Sequence, residues 1–407
     1  MNAVAFDAPK FKTEPSDPRL AERLRGFPPA IFSERLYQSI ELMERYSIEL
    51  AVDLLGQLNL AQQLGAWRSA DELCGLLCFQ PRFRLALGWI LARLVETGCM
   101  EVEGDSESRA YRLRKTPWEP DLKSLRALGL NIDPGNAATL DLLDLAASIY
   151  PAVATGQQNG DQNLFGPQGV PLWLKYFHND NLTYAVNNWV GAAVAVDHLS
   201  SQRTFRIMEI GAGTGSATEI LLKVLDQHGL LSRLERYLIT EPNAYFRRCN
   251  QRKLAAQHPN LPLEWATLDL NLPWNTQQIP SGEFDLVYAV NVMHIAKNLL
   301  FSLNEARSAL AVDGWLVIGE CIRPYANQPI YPELMFQILD SFTNVKTDPE
   351  IRPNPGFLTA EQWRRAFLRA GFGCVEVAPE APLRAWTRLS GALAAEVAHY
   401  NCPAAQQ

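Results

Sequence analysis

The chain has 407 residues, of which 47% are hydrophobic and 20% charged, so it is long enough to fold as two globular domains. Its formal net charge of −7 excludes a general electrostatic attraction to nucleic acid or to an anionic membrane. The seven cysteines have no zinc-binding spacing, no apolar run approaches the roughly 18 residues of a membrane helix, and the polar N-terminus is not a signal peptide. We expect a cytoplasmic protein that binds no metal, nucleic acid or membrane.

An N-terminal arm over residues 1–31 precedes a helix, helix, helix, hairpin pattern over 32–120. The pattern predicts two amphipathic segments within 33–65, a helix that begins at the capping box Ser69-Ala-Asp-Glu72, and another helix over Phe83–Glu96. Two short strands follow, at Met100–Glu103 and Arg109–Arg114. This order is typical of a winged helix, a fold that often reads DNA. Residues 1–120 carry 15 Lys and Arg against 17 Asp and Glu, however, whereas a DNA reader presents a basic face.

Residues 121–200 are helical in pattern and rich in aromatic side chains, and they lead directly into the first strand of the next segment. We expect a helical linker that also caps the active site. Tyr176 and Tyr184 are candidate substrate-binding residues because aromatic rings can stack on a ligand or meet a cation. Packing between domains is an equal alternative for Trp173, Tyr176 and Trp189.

The segment Phe205–Gly215 predicts a strand, a tight glycine turn and the start of a helix. Glycines at alternate positions let a ligand approach the backbone. Dinucleotide-binding turns use a GxGxxG spacing, but here the third glycine comes one residue early and Glu209 precedes the first. A carboxylate there would repel a pyrophosphate but suits a ligand with an ammonium group, such as S-adenosylmethionine (SAM). The predicted cofactor site therefore begins with Glu209, Gly211, Ala212, Gly213 and Gly215.

Four further apolar strands each end in a polar residue, and we place them at Arg236–Glu241, Leu263–Asp269, Phe284–Asn291 and Trp315–Glu320. Near-continuous apolar strands that alternate with helices indicate a parallel sheet covered on both faces. Ligands of such sheets lie beyond the carboxyl ends of the strands. There Glu241 can accept hydrogen bonds from ribose hydroxyls, Asp269 can accept one from an adenine amino group, and Leu268 can flank the ring. Asn291 completes the predicted cofactor site.

These strands and the glycine turn resemble the class I SAM-dependent methyltransferase family. The resemblance implies an α/β fold with a Rossmann-like, mostly parallel seven-stranded sheet over residues 201–385, closed by an antiparallel hairpin, and a C-terminal tail over 386–407. The N-terminal region resembles the winged-helix dimerisation domain of small-molecule O-methyltransferases, which implies a homodimer formed through residues 32–117. A winged-helix regulator that senses SAM is the non-enzyme alternative.

His294 and Glu320 are the candidate catalytic residues. Histidine can accept a proton near neutral pH, and His294 lies just past the fourth strand. Glu320 ends the neighbouring strand, where a carboxylate can orient the imidazole ring. The structural alternative is a histidine that caps a helix or fills a polar niche.

The two segments that carry this pair, Phe284–His294 and Leu310–Glu320, resemble the C-methyltransferase domains of polyketide synthases. The resemblance continues through Phe357–Trp363 and covers roughly residues 160–385. It implies a His/Glu dyad that assists deprotonation of the carbon between two carbonyls of a β-ketoacyl thioester. The sequence departs from the family in lacking ketosynthase, acyltransferase and carrier segments, in its additional N-terminal domain, and in having Glu241 where Asp is more frequent. We therefore expect a freestanding enzyme with a small-molecule or carrier-bound acceptor, and O-methylation of a phenol or enol remains an alternative.

Residues 321–356 form an insertion after the fifth strand, which we expect to cover the acceptor. Its aromatic and methionine side chains predict a mostly apolar acceptor. The candidate substrate-binding residues of this insertion are Tyr325, Met335, Phe336 and Arg352. Arg352 can meet a carboxylate or phosphate of the acceptor, or form a surface salt bridge.

Overall fold

The computed structural model describes residues 26–104, 108–378 and 394–399. The N-terminal region has the predicted order of helices followed by a hairpin, and its three strands form a small antiparallel sheet in the order β1-β3-β2. Its elements are α1 (Glu34–Gln57), β1 (Arg68–Ser69), α2 (Ala70–Leu76), α3 (Arg84–Glu96), β2 (Met100–Glu103) and β3 (Ala110–Leu113). The capping box at Ser69 and Glu72 is present.

One long helix, α1, replaces the two amphipathic segments predicted within residues 33–65. Ser33 caps its N-terminus by accepting a hydrogen bond from the backbone N–H of Leu36. Buried side chains recur along its whole length, from Leu36 to Leu55, so no polar break divides it. Glu49, near the middle of the buried face, is itself buried and accepts a hydrogen bond from the Trp118 indole.

Five helices connect this region to the large sheet: α4 (Leu122–Ile132), α5 (Ala137–Ala154), α6 (Gly160–Leu164), α7 (Val170–Tyr176) and α8 (Leu182–Asp197). The helical segment Pro134–Ala154 is long and apolar enough to cross a membrane by length and composition, but 61% of its most apolar window is buried inside the structure. Its apolar character is accounted for by packing against α1 and α7.

The large sheet has seven strands in the order β6-β5-β4-β7-β8-β10-β9, of which β4 to β8 are parallel to one another. These strands are β4 (Phe205–Ile210), β5 (Leu234–Thr240), β6 (Leu263–Ala266), β7 (Phe284–Val290), β8 (Leu310–Glu320), β9 (Cys374–Ala378) and β10 (Ala394–His399). The connecting helices are α9 (Ser216–Gln227), α10 (Ala244–Gln257), α11 (Leu299–Ala309), α12 (Pro332–Phe336), α13 (Asp340–Thr343) and α14 (Ala360–Arg369). The predicted mostly parallel seven-stranded α/β sheet is confirmed.

The prediction that residues 386–407 form a C-terminal tail is wrong for residues 394–399, because they form β10. This strand pairs antiparallel with both β8 and β9 and so lies inside the sheet. Its alanine-rich sequence has little intrinsic preference for a strand. Backbone hydrogen bonds to two neighbouring strands determine its conformation instead.

The hydrophobic core does not divide at residue 120, where the sequence predicts a domain boundary. One buried cluster joins side chains of α1 and α3 to those of α5 and of the segment around Leu334. A second cluster joins Phe32 and Leu36 to α8 and the sheet. The N-terminal region is therefore packed continuously against the segments that carry the candidate acceptor residues.

Candidate active site

The glycine turn connects β4 to α9 in a conformation that only glycine adopts easily. Gly211, Gly213 and Gly215 have φ angles of +62°, +54° and +85°. A Cβ on Gly211 would lie 2.5 Å from the Val292 side chain, whereas a Cβ on Gly213 would have no atom within 4 Å. The turn is therefore packed from below at Gly211 and open beside Gly213, which is the side on which a ligand can lie against the backbone.

Glu209 lies beneath this turn and is only 1% exposed. Its Oε2 accepts hydrogen bonds from the Tyr237 hydroxyl at 2.6 Å and from Thr218 Oγ1 at 2.8 Å. Burial raises the pKa of the Glu209 carboxyl to about 7, and the nearby Glu241 adds to the shift. The carboxylate is thus held inside the fold, and its contact with the ammonium group of the cofactor stays a prediction.

Glu241 follows β5 at the same edge of the sheet. Its Oε2 accepts a hydrogen bond from the Gly213 N–H at 2.9 Å and its Oε1 accepts one from the Asn243 N–H at 2.7 Å. Burial raises the pKa of this carboxyl. Asp269 lies beyond β6, which ends at Ala266, and its Oδ1 accepts two hydrogen bonds from Asn271. Glu241 therefore contacts the open side of the turn, and Asp269 follows the neighbouring strand; their contacts with a ribose and an adenine amino group stay predictions.

The loop between α7 and α8 lies over the glycine turn. The Thr214 hydroxyl donates to the carbonyl oxygen of Phe177 at 3.2 Å, and Asn179 Nδ2 donates to the carbonyl oxygen of Ser216 at 3.0 Å. Asn188 Nδ2 on α8 donates to Asn179 Oδ1 at 2.8 Å and holds the loop in place. These contacts support the cap that residues 121–200 are predicted to form.

His294 and Glu320 form a buried pair, as the sequence predicts. His294 Nδ1 lies 2.7 Å from Glu320 Oε2, and the backbone N–H of His294 donates to Glu320 Oε1 at 3.1 Å. Only 3% of His294 and 2% of Glu320 are exposed. Because Glu320 occupies Nδ1, the other ring nitrogen, Nε2, is left for the cavity that His294 lines.

The cavity beside His294 has a volume of about 130 Å³ and mostly apolar walls. The ring centroid of His294 lies 4.5 Å from that of Phe357, 5.8 Å from that of Phe342 and 6.2 Å from that of Phe336. Its walls are formed by Phe165, Tyr176, Phe177, Tyr184, Asn291, His294, Ile295, Cys321, Pro332, Phe336, Leu339, Ser341, Phe342 and Phe357.

Three of the six predicted substrate-binding residues, Tyr176, Tyr184 and Phe336, line this cavity. Burial raises the pKa of the Tyr184 phenol to about 12, so it stays neutral at physiological pH. Met335 is fully buried in the hydrophobic cluster behind the cavity wall rather than in the wall itself. Tyr325 is 73% exposed and does not line the cavity.

Arg352 has neither of the two roles that the sequence suggests, because it is buried and directed at backbone. Its Nη1 donates to the carbonyl oxygen of Ala296 at 2.6 Å, and its Nη2 donates to the carbonyl oxygen of His294. Burial lowers the pKa of the guanidinium to about 10, which still leaves it charged at neutral pH, and Glu320 opposes the shift. Arg352 thus fixes the turn that carries His294.

Asn291 joins the cofactor edge to the cavity. Its backbone has a φ of +53°, and its Oδ1 accepts hydrogen bonds from Asn187 Nδ2 at 3.0 Å and from the Cys321 N–H at 3.3 Å. Asn187, Phe177, Cys321 and Phe342 were not among the candidate site residues. Phe342 and Cys321 lie in the insertion that was expected to cover the acceptor, and Phe177 and Asn187 lie in the segment that was expected to cap the site. No group of three or more potential metal ligands occurs within the described residues.

A family model described as a methyltransferase domain matches residues 208–316, which run from β4 through the glycine turn to β8. The chain therefore contains a methyltransferase domain, for which SAM is the cofactor.

The curated relatives of this methyltransferase are polyketide synthases. Polyketide synthase PksM of Bacillus subtilis (strain 168) is 27% identical over 356 residues, which are 84% of this chain and 8% of that protein. Probable polyketide synthase 1 of Dictyostelium discoideum is 30% identical over 180 residues, or 41% of this chain and 6% of that protein. The methyltransferase therefore spans about a tenth or less of the length of the synthases that it matches.

Solved structures share the fold of this methyltransferase over nearly its whole length. The CurJ carbon methyltransferase superposes with a TM-score of 0.75 at 24% identity and covers 95% of this chain and 97% of its own. The DszA carbon methyltransferase reaches 0.69 at 23% identity, with 95% and 94% covered. The trans-methyltransferase CalH, in complex with SAH, reaches 0.58 at 18% identity, with 95% and 93% covered. The sequence predicts that the N-terminal domain is an addition to the fold. The matches cover about 95% of the chain and so include the N-terminal helices, which are therefore part of the shared fold.

Proposed function

We propose that this methyltransferase transfers the methyl group of SAM to an activated carbon of a small natural-product intermediate, either β-keto and polyketide-like or aromatic. The observation that carries the proposal is the buried His294–Glu320 pair, which opens on an apolar cavity next to the cofactor edge of the sheet. The printed names of two structures that share its fold, both carbon methyltransferases, support carbon as the accepting atom.

SAM supplies a methyl group that a sulfonium already activates, so the chain must remove a proton from the acceptor and orient it. The turn at Gly211–Gly215, with Glu241 and Asp269, would hold the cofactor. His294 Nε2 takes the proton of the carbon between two carbonyls. Glu320 accepts the Nδ1–H hydrogen bond and stabilises the imidazolium that forms. The aromatic walls exclude water, so the developing enolate is not reprotonated.

The nature of the methylated atom can be read from the product. The full-length protein is incubated with SAM labelled with ¹³C in the methyl group and with a β-ketoacyl thioester of N-acetylcysteamine. We expect a carbon-bound methyl resonance in the ¹³C spectrum of the product. A resonance in the oxygen-bound methyl region would replace this proposal by O-methylation of an enol or phenol.

Substitution of His294 by alanine tests the role of the base. We expect turnover to fall at least about 100-fold, which is the usual contribution of a general base, while SAM affinity by calorimetry remains that of the wild type. His228→Ala is the matched control, because His228 is exposed and bonds only to the backbone of its own helix. Wild-type turnover in His294→Ala would eliminate this residue as the base.

The remaining expectations about the cell and the assembly are proposals of the same kind. We propose a cytoplasmic homodimer that contacts its neighbour through residues 32–117. The polyketide synthases that it resembles suggest an acceptor that is either free or attached to a carrier. The mostly apolar cavity suits the acyl part of either acceptor.

A further inference from the structure

A second cavity, of about 200 Å³, lies between the N-terminal region and the segments that form the walls of the cavity beside His294. We call the cavity beside His294 the catalytic cavity. We propose that the second cavity binds a phosphate ester at the far end of the acceptor. The identity of the acceptor in this inference rests on the proposed function, whereas the binding of the anion does not. We refer to the second cavity as the arginine cleft, after Arg84, Arg109 and Arg323 in its lining.

The three arginines come from separate parts of the fold. Arg84 begins α3, Arg109 immediately precedes β3, and Arg323 follows β8. One carboxylate, Asp71, also lines the arginine cleft, and it lies 3.4 Å from Arg84 Nε. Arg84 is thus paired with Asp71, and Arg323 is paired with Glu333. Arg109 therefore gives the cleft its excess positive charge on a chain whose net charge is −7.

These arginines keep donors available for a ligand. The hydroxyl of Tyr111 lies within hydrogen-bond reach of Arg109, for which no carboxylate partner occurs among the described residues. Arg323 donates from Nε to Glu333 at 2.8 Å and from Nη1 to the carbonyl oxygen of Ala326 at 3.0 Å, with Nη2 also 2.6 Å from Glu333. These contacts use three of its five N–H bonds and hold the guanidinium rigid.

One buried polar group in the lining also lacks a protein partner. The indole N–H of Trp89 has no acceptor within the part of the chain that the structure describes. A buried N–H without an acceptor is costly, and an oxyanion that accepts from it removes that cost.

The arginine cleft and the catalytic cavity share a wall. Arg323 is two residues from Cys321, Pro329 is three from Pro332, and Gln337 is next to Phe336. In each pair one residue lines the cleft and the other lines the cavity. Three residues of extended chain span at most about 11 Å, so the two sites lie back to back. In the proposed binding mode one acceptor extends past this wall, with its apolar acyl end by His294 and its anionic end among the arginines.

A phosphate ester matches this arrangement better than a carboxylate does. Its several oxygens can accept from guanidinium groups on different sides at once, whereas a carboxylate is satisfied by a single bidentate arginine. An acyl thioester carries such a phosphate in two forms, the thioester of coenzyme A and the phosphopantetheine arm of a carrier protein. Both forms share the chemistry that the arginine cleft recognises.

Calorimetry with 4′-phosphopantetheine and with pantetheine tests the arginine cleft directly, because the two probes differ only in the phosphate. We expect the full-length protein to bind the phosphorylated probe about tenfold or more tightly, with a preference that declines as salt is added. The double variant Arg84→Gln/Arg109→Gln should reduce the preference to about one. Arg109→Gln alone, with a single charge removed, should reduce it part of the way and serves if the double variant does not fold.

Arg114→Gln is the matched control, because Arg114 is exposed at the other end of the same strand and does not line the arginine cleft. Equal affinity of the wild type for the two probes, or an equal loss of preference in Arg114→Gln, would overturn the proposal. Coenzyme A separates the two sources: tighter binding than 4′-phosphopantetheine indicates a coenzyme A thioester, and no gain from its nucleotide indicates a carrier arm. The measurement involves no methyl transfer, so it stands even if the product proves to be an O-methyl compound.

Discussion

His294 is held at three points, by two residues that belong to different parts of the fold. Glu320 contacts both the ring and the backbone N–H of His294, and Arg352 donates a hydrogen bond to its carbonyl oxygen. Glu320 ends β8, whereas Arg352 comes from the insertion more than 30 residues later. The insertion, which we expect to cover the acceptor, therefore also fixes the turn that carries the proposed base.

Arg352→Met should lower kcat by about 10- to 100-fold, because a base displaced by about 1 Å loses reactivity of that order. SAM affinity should not change, since Arg352 makes no contact with the cofactor edge of the sheet. Arg352→Lys restores the charge and one hydrogen bond, so it should recover part of kcat. Arg369→Met is the control, because Arg369 is half exposed and pairs with surface carboxylates. Loss of SAM affinity in parallel with kcat would indicate general misfolding instead of misplacement of the base.

Glu209 gives the protein a predictable pH dependence of stability. Its carboxyl has a pKa of about 7 in the folded state against a usual value of 4.5, because burial disfavours the charged form. The folded state therefore holds the proton more tightly than the unfolded state. The stability that this adds is complete below about pH 4.5 and is lost as the pH rises towards 7.

We expect the free energy of unfolding of the wild type, measured with urea and without cofactor, to fall relative to Glu209→Gln as the pH rises from 5 to 8. The full effect is about 3 kcal/mol. Glu264→Gln, on the exposed end of β6, provides the comparison. A difference between wild type and Glu209→Gln that stays constant over this range would show that Glu209 does not titrate there.

At the scale of elements, the sheet could be predicted because each parallel strand is apolar on both faces and ends in a polar residue. The five parallel strands lie within a few residues of their predicted limits, although β6 ends at Ala266 before Asp269. The strand β10 could not be predicted, because its alanine-rich sequence does not favour a strand and its conformation depends on pairing with β8 and β9. The walls of the catalytic cavity were predicted in part, since Phe342 and Phe357 reach His294 only through long-range packing.

The glycine turn offers a test in which strain and occlusion can be separated. Gly213→Val should abolish SAM binding by calorimetry, because the new side chain fills the open side of the turn and is strained at a φ of +54°. Gly229→Val is the matched control, with a φ of +67°, no atom within 4 Å of the new Cβ, and a position beyond α9 away from the turn. Unchanged SAM affinity in Gly213→Val, or an equal loss in Gly229→Val, would refute the placement of the cofactor.

Arg93 connects the N-terminal region to the insertion that follows β8. This fully buried guanidinium donates to Glu44 and Ser47 of α1 and to the carbonyl oxygen of Pro329. Glu44 in turn accepts hydrogen bonds from the Tyr331 N–H. Since one hydrophobic cluster also spans both regions, removal of residues 1–117 would expose the core instead of releasing an independent domain.

Arg93→Ala should therefore lower the free energy of unfolding by roughly 3 kcal/mol, because it removes the buried hydrogen bonds to Ser47 and Pro329 and leaves the partly buried Glu44 carboxylate without its partner. Unfolding should remain a single transition that near- and far-ultraviolet circular dichroism report at the same urea concentration, since the two regions share one core. Arg112→Ala removes a half-exposed arginine that pairs with Glu101, so it should cost about 1 kcal/mol or less. The opposite result would be two unfolding transitions in Arg93→Ala, of which the first leaves enzyme activity unchanged. It would mean that the N-terminal region folds as a separate unit and that the cavity beside His294 does not depend on it.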